Sequence, residues 1–292
     1  MSQAVDVGGA GLVVDLHAHS TASDGLDSPE VVVSRAQEVG LAALALTDHD
    51  TVGGIPAAAS AAAALGVRLV AGVELSTHFG ARETHLLGLH VADLALLDRE
   101  LAIYREARLE RAAEMVRKLN EIGVRITFEE VLAVARGAAV GRPHVARALV
   151  ESGWAMDLRD AFDRYLGDGG PAYVEKRKMV VADAIELIHQ AGGLAILAHP
   201  AMDFTLGQVR QMKEWGLDGL EVLHPSHSVE ARGLLAQWCE ELELLPSGGS
   251  DSHSVSDPVR GLGSVPVPAA WLVGQDMAIA GRRTSAEGRL FR

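Results

Sequence analysis

Short apolar runs alternate with helical patterns near both ends of the chain, an order that is typical of βα units and of a parallel sheet or barrel. Ser28, Pro29 and Glu30 supply an N-cap, a first-turn proline and a first-turn acid, and they predict a helix that ends at Gly40. A second helix is predicted over 183–191. The apolar runs predict seven strands, at 12–16, 42–46, 69–73, 85–89, 194–198, 219–223 and 244–246.

The middle of the chain has a different pattern. Long charged helical patterns replace the strands there, and Thr127 with Glu130 forms a capping-box sequence. One such helix is marked by Leu101, Tyr104, Arg108, Met115 and Leu119. We therefore predict an α/β fold in which residues 1–96 and 178–292 form the two parts of a barrel and residues 97–177 form an α-helical insertion that caps the substrate.

The charge of the chain limits its partners. Its 292 residues include 26 Lys and Arg against 39 Asp and Glu, a net charge of −13. Such a surface repels the phosphate backbone, so no duplex DNA binding is expected, whereas a small phosphorylated ligand can bind at one positive site. A single cysteine, Cys239, excludes an intrachain disulfide and a thiolate cluster. Residues 1–11 lack the features of a signal peptide, and no apolar run is long enough to span a membrane, so we expect a cytoplasmic protein.

Histidines and acids follow most of the predicted strands, where the active sites of α/β proteins form. Because alternate residues of a strand face the same side, His17 and His19 can hold one ion together, and so can Asp251 and His253. His78 and His90 compete with His85 for one ligand position. The candidate metal ligands are His17, His19, Asp24, His49, Glu74, His85, His199, Asp251 and His253.

Nine ligands of this kind are more than one metal ion can bind. Imidazoles and carboxylates without thiolates suit Mn²⁺, Fe²⁺ or Zn²⁺. We therefore expect two or three divalent ions that share a bridging carboxylate. Three ions among three carboxylates would carry a net charge of about +3, and a phosphate ester is the natural guest of such a pocket.

The motifs around these residues carry a family resemblance: Asp15 to Ser20, Thr47 to Asp50, Gly72 to Glu74, the His85 strand, Ala198 to Pro200, and Ser250 to His253. With them the chain resembles the polymerase and histidinol phosphatase (PHP) superfamily of metal-dependent phosphoesterases. The resemblance implies a distorted (β/α)7 barrel and a trinuclear metal centre bridged by Glu74. The implied ligands are His17, His19, Glu74 and Asp251 for one ion, Glu74, His85 and His199 for a second, and Asp24, His49 and His253 for a third.

Within this superfamily the chain is similar to stand-alone bacterial proteins that remove the 3′-phosphate from nucleoside 3′,5′-bisphosphates such as pAp. Related members degrade short RNA from the 5′ end. The resemblance implies that the insertion closes over the barrel mouth and that Arg142, His144 and Lys176 hold a substrate phosphate. His224 and His227 are candidates for protonating the leaving group. The expected reaction is in-line attack of metal-activated hydroxide on phosphorus.

Other functions use the same residues. The same metal centre would serve a histidinol-phosphate phosphatase, another small-molecule phosphomonoesterase or a polymerase proofreading domain. Arg142 in the insertion favours nucleotide substrates over the first two, and no polymerase sequence accompanies the chain. A non-catalytic metal-binding regulatory module is the alternative of a different class. Asp48 and Asp50 flank His49, and we expect them to orient neighbouring imidazoles.

Overall fold

A computed structural model describes residues 12–290 of the protein and the side chains of residues 12–282. The expectation about a signal peptide falls on residues 1–11, outside the described residues. The strands are β1 (Val13–Asp15), β2 (Ala43–Leu46), β3 (Leu69–Phe79), β4 (Arg82–Leu89), β5 (Met179–Val180), β6 (Leu194–Leu197), β7 (Gly219–Leu223), β8 (Leu245–Gly248) and β9 (Val267–Pro268). The helices are α1 (Pro29–Glu38), α2 (Ile55–Leu65), α3 (Leu94–Glu121), α4 (Phe128–Ala135), α5 (Arg142–Glu151), α6 (Leu158–Ala161), α7 (Val181–Gln190), α8 (Leu206–Glu214), α9 (Val229–Glu241) and α10 (Ala269–Leu290), with a π-helical turn at Phe162–Leu166.

Seven of the described strands form a nearly closed barrel in the order β8-β7-β6-β4-β3-β2-β1. The chain that follows β1 meets the end of β8 and the chain beyond it: Leu16 N–H donates to the Gly248 carbonyl at 3.1 Å, and Asp251 N–H donates to the His17 carbonyl at 2.9 Å. The short β9 pairs with the outer side of β1, and β5 pairs with the end of β3. The predicted distorted (β/α)7 barrel is confirmed.

The prediction of a parallel sheet is wrong for β4, which runs antiparallel to both β3 and β6. Only Gly80 and Ala81 separate β3 from β4, too few residues for the crossover that a parallel pair requires. Gly80 adopts φ +61°, as a tight hairpin turn demands. Because β3 continues to Phe79 through polar residues, the apolar pattern ended this strand too early.

Local signals at the helix ends are confirmed. The Ser28 hydroxyl accepts a hydrogen bond from Val31 N–H at the start of α1, and Gly40 beyond its end has φ +75°. Thr127 and Glu130 form the expected reciprocal capping box of α4. The helix predicted over 183–191 is α7, which begins two residues earlier.

The helical middle of the chain has a hydrophobic cluster of its own. Helix α3 joins the two cores, since Leu97 and Leu101 pack into the barrel core whereas Met115 and Leu119 pack with α4, α5 and α6. The segment after α4 is tied to the barrel by Ala139 N–H, which donates to the Ala22 carbonyl at 3.1 Å. The domain limits at residues 97 and 177 stay a prediction. In the described part of the chain, no helix combines the length and the apolar character that crossing a membrane requires.

We predict that Gly249→Ala disrupts the seam between β1 and β8. A Cβ atom at Gly249 would lie 2.5 Å from the backbone nitrogen and from Cβ of His17. The substitution should destabilise the protein by about 3 kcal/mol, because neither neighbouring backbone can move away without opening the barrel. Gly233→Ala in α9 is the control, since a Cβ there meets nothing within 4 Å and alanine favours the helix. Urea unfolding curves would contradict the prediction if both variants had equal midpoints.

Candidate metal centre

The predicted ligands meet at the mouth of the barrel. His17 and His19 follow β1, His49 follows β2, and Glu74 and His85 lie on β3 and β4. The ends of β6 and β8 add the last group, which is His199, Asp251 and His253. Backbone bridges between His49 and Glu74 and between Ala18 and Ser252 continue the sheet beyond its strands and keep these ends side by side. The closed sheet therefore points side chains from six segments toward one centre.

Glu74 lies in the middle of this centre and is only 1% exposed. Its Oε2 atom is 3.2 Å from His17 Nε2, and its Oε1 atom is 2.8 Å from His85 Nδ1. Five imidazole nitrogens in all lie 2.8–3.2 Å from its two oxygens: those of His17, His19, His49, His85 and His199. One carboxylate that faces five imidazoles has the position of a bridging ligand.

The donor atoms form several groups that could each hold an ion, with the atoms of a group within 4.8 Å of one another. These groups are His17, His19, Glu74 and Asp251; His19, Asp24, His49 and His253; His49, Glu74 and His85; and His17, Glu221 and His224. The first group is the set expected for one ion, and the second adds His19 to the expected third set. The third group contains His49 rather than His199, although His199 Nε2 lies 3.4 Å from His85 Nδ1. Which ligand serves which ion stays a prediction.

The hydrogen bonding of these atoms fits divalent cations. Among the described residues, His17 Nε2, His49 Nδ1, Glu74 Oε2 and both ring nitrogens of His19 are buried and make no hydrogen bond of suitable geometry, although several of them lie within 3.2 Å of one another. Buried polar atoms are rarely left in this state, because each one costs about 1–3 kcal/mol. Divalent ions among these donors would give Glu74 Oε2 and one nitrogen of each imidazole a partner, so the residues present fit a metal centre.

The electrostatics of the centre favour a cation. Burial opposes the charge of Glu74, but His49, His85 and His17 outweigh burial and hold its pKa well below the usual range. Burial likewise opposes protonation of His19, yet Asp251 and Glu74 raise its pKa to about 10. The carboxylates of the centre thus give it a strong preference for positive charge.

Sequence reasoning missed Glu221, which supports the ligands from β7. This carboxylate is fully buried; one of its oxygens lies 3.0 Å from His17 Nδ1, and the other accepts a hydrogen bond from His199 N–H at 2.7 Å. A carboxylate on the second nitrogen of a ligand imidazole fixes the orientation of the ring. The sequence could have indicated a functional role for Glu221, since it is a charged residue inside an otherwise apolar run.

The expectation that Asp48 and Asp50 orient imidazoles is wrong. Asp48 accepts hydrogen bonds from the backbone and hydroxyl of Ser20, at 2.8 and 2.7 Å, and from the Ser23 hydroxyl at 2.6 Å. Asp50 forms a buried ion pair with Arg108 and accepts a hydrogen bond from the Ser76 backbone at 2.7 Å. These carboxylates therefore hold the loop after β1 and anchor the insertion to the barrel.

A cavity of about 170 Å³ lies between the centre and the insertion. Its lining includes Asp24, His49, His85 and Glu83, together with four cationic side chains: Arg108, Arg111, Arg142 and Lys176. Sequence reasoning identified Arg142 and Lys176 but missed the two arginines of α3. The position of Arg108 in the sequence could have indicated a buried cation, because it falls on the same helical face as the buried Leu101, Met115 and Leu119.

The other candidate histidines have separate surroundings. His144 is buried, and its Nδ1 accepts a hydrogen bond from Gly141 N–H at 3.0 Å; burial lowers its pKa to about 4. It lines a different cavity, beside Arg147. Both ring nitrogens of His227 bind backbone groups, those of Val222 and Ala201. These contacts hold both side chains against backbone groups, and the roles of His144 and His227 toward a substrate stay predictions.

His224, by contrast, lies beside the centre, with Nε2 3.4 Å from Asp251 Oδ2. His85 is adjacent to Glu74, whereas its competitors lie elsewhere. His78 contacts the Gly80 carbonyl at the hairpin turn, and His90 lies 3.3 Å from the Gln275 side chain. The choice of His85 over both therefore agrees with the geometry.

A barrel with a buried histidine–carboxylate centre and a cationic cavity at its mouth defines a metal-dependent hydrolase of phosphate esters. The PHP domain model matches residues 15–168, and the chain belongs to the PHP family. It is 42% identical over 249 residues to a 5′-3′ exoribonuclease from Haemophilus influenzae, covering 82% of this chain and 89% of the relative.

A second relative is a 3',5'-nucleoside bisphosphate phosphatase from Chromobacterium violaceum, 38% identical over 258 residues, which cover 86% of this chain and 90% of that protein. Among solved structures, one from Bifidobacterium adolescentis, assigned to the metal-dependent phosphoesterases, superposes with a TM-score of 0.84. The two are 30% identical, and the match covers 90% of this chain and 95% of the other. The resemblance drawn from the sequence motifs is confirmed, and the protein is a metal-dependent phosphoesterase.

Metal binding should stabilise the folded protein. Ions that bind only the folded chain add about 2.7 kcal/mol at a hundred times their Kd, so Mn²⁺ should raise the melting temperature of chelator-treated protein. Glu74→Gln removes the central charge and should lose more than half of the bound metal. His78→Ala, at the hairpin turn, should keep the wild-type metal content. Elemental analysis and thermal unfolding measure both effects, and full metal content in Glu74→Gln would refute the bridging role.

Proposed function

We propose that the protein removes the 3′-phosphate of nucleoside 3′,5′-bisphosphates such as pAp and degrades short 5′-phosphorylated RNA from its 5′ end. The observation that carries this proposal is the cavity in which four cationic side chains face three of the proposed ligands. The names of the Haemophilus and Chromobacterium relatives support it. In this function the insertion, residues 97–177, is the substrate cap.

Both substrates contain the same unit, a nucleoside with a 5′-phosphate and a phosphoryl group on its 3′ oxygen. Hydrolysis breaks the bond between that oxygen and phosphorus in each case. If the 3′ phosphoryl group lies at the metal centre, the 5′-phosphate needs a second anion site. The cavity beneath the insertion is the proposed site, because it holds four cationic side chains with too few anions to match them. Arg108 and Lys176 share Asp50, Arg142 pairs with the exposed Asp168, and Arg111 has no carboxylate partner among the described residues.

Arg111 gives the strongest support for an anion in this cavity. It is 8% exposed, its Nε donates to the Val174 carbonyl at 2.7 Å, and no described carboxylate lies within ion-pair distance of it. Burial, together with the neighbouring Arg142 and Arg108, lowers its pKa to about 10. Cations held close together repel one another, and a bound phosphate would remove that repulsion.

The same cavity offers an apolar surface. Phe162 lines it, and the Arg142 guanidinium lies 5.9 Å from the Phe162 ring centre and 5.8 Å from that of Tyr173. An aromatic ring beside a phosphate site allows one base to stack. Aromatic residues make up only 4% of the chain, so we propose that few nucleotides bind at a time.

The chain's own residues divide the proposed work. We assign the ligands as His17, His19, Asp24, His49, Glu74, His85, His199, Asp251 and His253, for two or three ions of Mn²⁺, Fe²⁺ or Zn²⁺. Such ions, when bound, polarise phosphoryl oxygens and lower the pKa of water. Arg142, Arg111 and Lys176 bind and orient the 5′-phosphate. His224 is the proposed proton donor to the 3′ oxygen, because its Nε2 lies beside Asp251 at the centre, whereas both nitrogens of His227 are held by backbone groups.

A comparison of substrates tests this function. The wild-type protein should release phosphate from pAp faster than from AMP or histidinol phosphate, and it should shorten a 5′-phosphorylated RNA. Arg142→Ala should lower kcat/KM for pAp by about tenfold or more, the loss of one charged hydrogen bond. Arg159→Ala, an exposed change in α6, is the control. Preference for histidinol phosphate, with Arg142→Ala unaffected, would refute the proposal.

The charge of Lys176 should make substrate binding depend on pH. Burial and the nearby Arg108 lower the pKa of Lys176 to about 8, although Asp50 opposes the shift. The ammonium group is therefore positive below pH 8 and neutral above it, so KM for pAp should rise between pH 7 and pH 9.5. Lys176→Arg keeps its charge over this range and should lose that rise. Parallel KM profiles for the two proteins would contradict this role of Lys176.

A further inference from the structure

The rim of the barrel mouth has two unequal halves. The insertion covers the half above β1 to β4, where Arg147 contacts the Asp24 carbonyl and Arg108 pairs with Asp50. The half that follows β6, β7 and β8 has more open side chains: His199 is 27% exposed, His253 is 35% exposed and Arg260 is 43% exposed. The open half therefore offers a ligand longer than one nucleotide the more accessible path from the centre.

Arg260 lies at the open half, on the outer side of Asp251. Asp251 Oδ1 faces His17 and His19, at 3.5 and 3.2 Å, whereas Oδ2 is 3.2 Å from Nη1 of Arg260. The backbone N–H groups of Val259 and Arg260 donate to Asp257 Oδ1, which fixes the turn that presents the arginine. One edge of the guanidinium thus touches the centre while nearly half of the side chain stays accessible.

A second arginine extends the positive charge along this rim. Arg232, on α9, donates to the His224 carbonyl at 3.1 Å, and its Nε is buried without a hydrogen-bond partner among the described residues. It forms no ion pair with a described carboxylate. In a chain of net charge −13, two arginines beside the open half are a local attraction for an anion.

We propose that Arg260, assisted by Arg232, binds the phosphate that follows the scissile phosphate in an RNA strand. This inference rests on the proposed function, which puts the 5′-phosphate beneath the insertion and the scissile group at the metal centre. The strand then continues over the half of the rim that the insertion leaves open. A nucleoside bisphosphate ends at the scissile phosphate and has no group at this position, so Arg260 discriminates between the two substrates.

The ratio of kcat/KM for a 5′-phosphorylated trinucleotide to kcat/KM for pAp tests the subsite. In Arg260→Gln this ratio should fall about tenfold, mainly through KM for the RNA, and Arg260→Lys should restore part of it. Arg210→Gln is the control, since Arg210 pairs with Glu241 on the outside of the barrel and should leave the ratio unchanged. An unchanged ratio in Arg260→Gln would overturn the proposal. This holds also if both substrates are hydrolysed more slowly to the same extent and bound metal is lost, because Arg260 would then only position Asp251.

Binding without turnover gives an independent readout. With chelator present, the affinity of a fluorescent 5′-phosphorylated trinucleotide can be measured at several salt concentrations. The slope of log Kd against log salt should become shallower by about 0.7 in Arg260→Gln, the value for one lost phosphate contact on a single strand. An equal slope would overturn the subsite. Wild-type protein that hydrolyses neither pAp nor RNA would instead overturn the proposed function, an outcome distinct from any change in the ratio.

Discussion

The buried charge of Glu74 is the constraint on which the architecture depends. A carboxylate removed from water costs several kcal/mol unless other groups offset its charge. The five imidazoles around Glu74 come from β4 and from the ends of β1, β2 and β6, so no local segment could supply them. Only a closed sheet brings these ends together, and the β1–β8 seam is tight enough that Gly249 leaves no room for a side chain. The ligands around Glu74 can therefore assemble only when the barrel closes.

Asp50 connects the metal centre to the substrate cavity. It follows His49 directly, and its carboxylate holds both Arg108 of α3 and, at 3.6 Å, Lys176 from the far end of the insertion. Its backbone has φ +52°, a conformation that costs a non-glycine residue about 1 kcal/mol or more. The ion pairs it makes offset that cost. The insertion therefore cannot shift without disturbing the residue next to a proposed ligand, which couples the insertion to the centre.

Much of this site could be predicted from the sequence because its signals are local. His17 and His19 alternate on a strand, and Thr127 with Glu130 marks a helix start, so neighbouring residues suffice to recognise both. The direction of β4 could not be read from its own residues, since it depends on how many residues separate it from β3. Arg108 and Arg111 were missed for a related reason: the helical pattern puts Arg108 on the buried face, but nothing local shows that this face borders a cavity.

The contrast between the acidic chain and its cationic mouth bears on the size of the substrate. At physiological salt, charges separated by more than about 8 Å are largely screened. A short phosphorylated ligand inside the mouth therefore responds mainly to Arg111, Arg142 and Lys176 and to the metal centre, whereas a long polyanion would also lie against the acidic surface. Attraction by the cationic mouth and repulsion by the acidic surface together favour short nucleic acids. This preference arises from the placement of charges and needs no steric block against long strands.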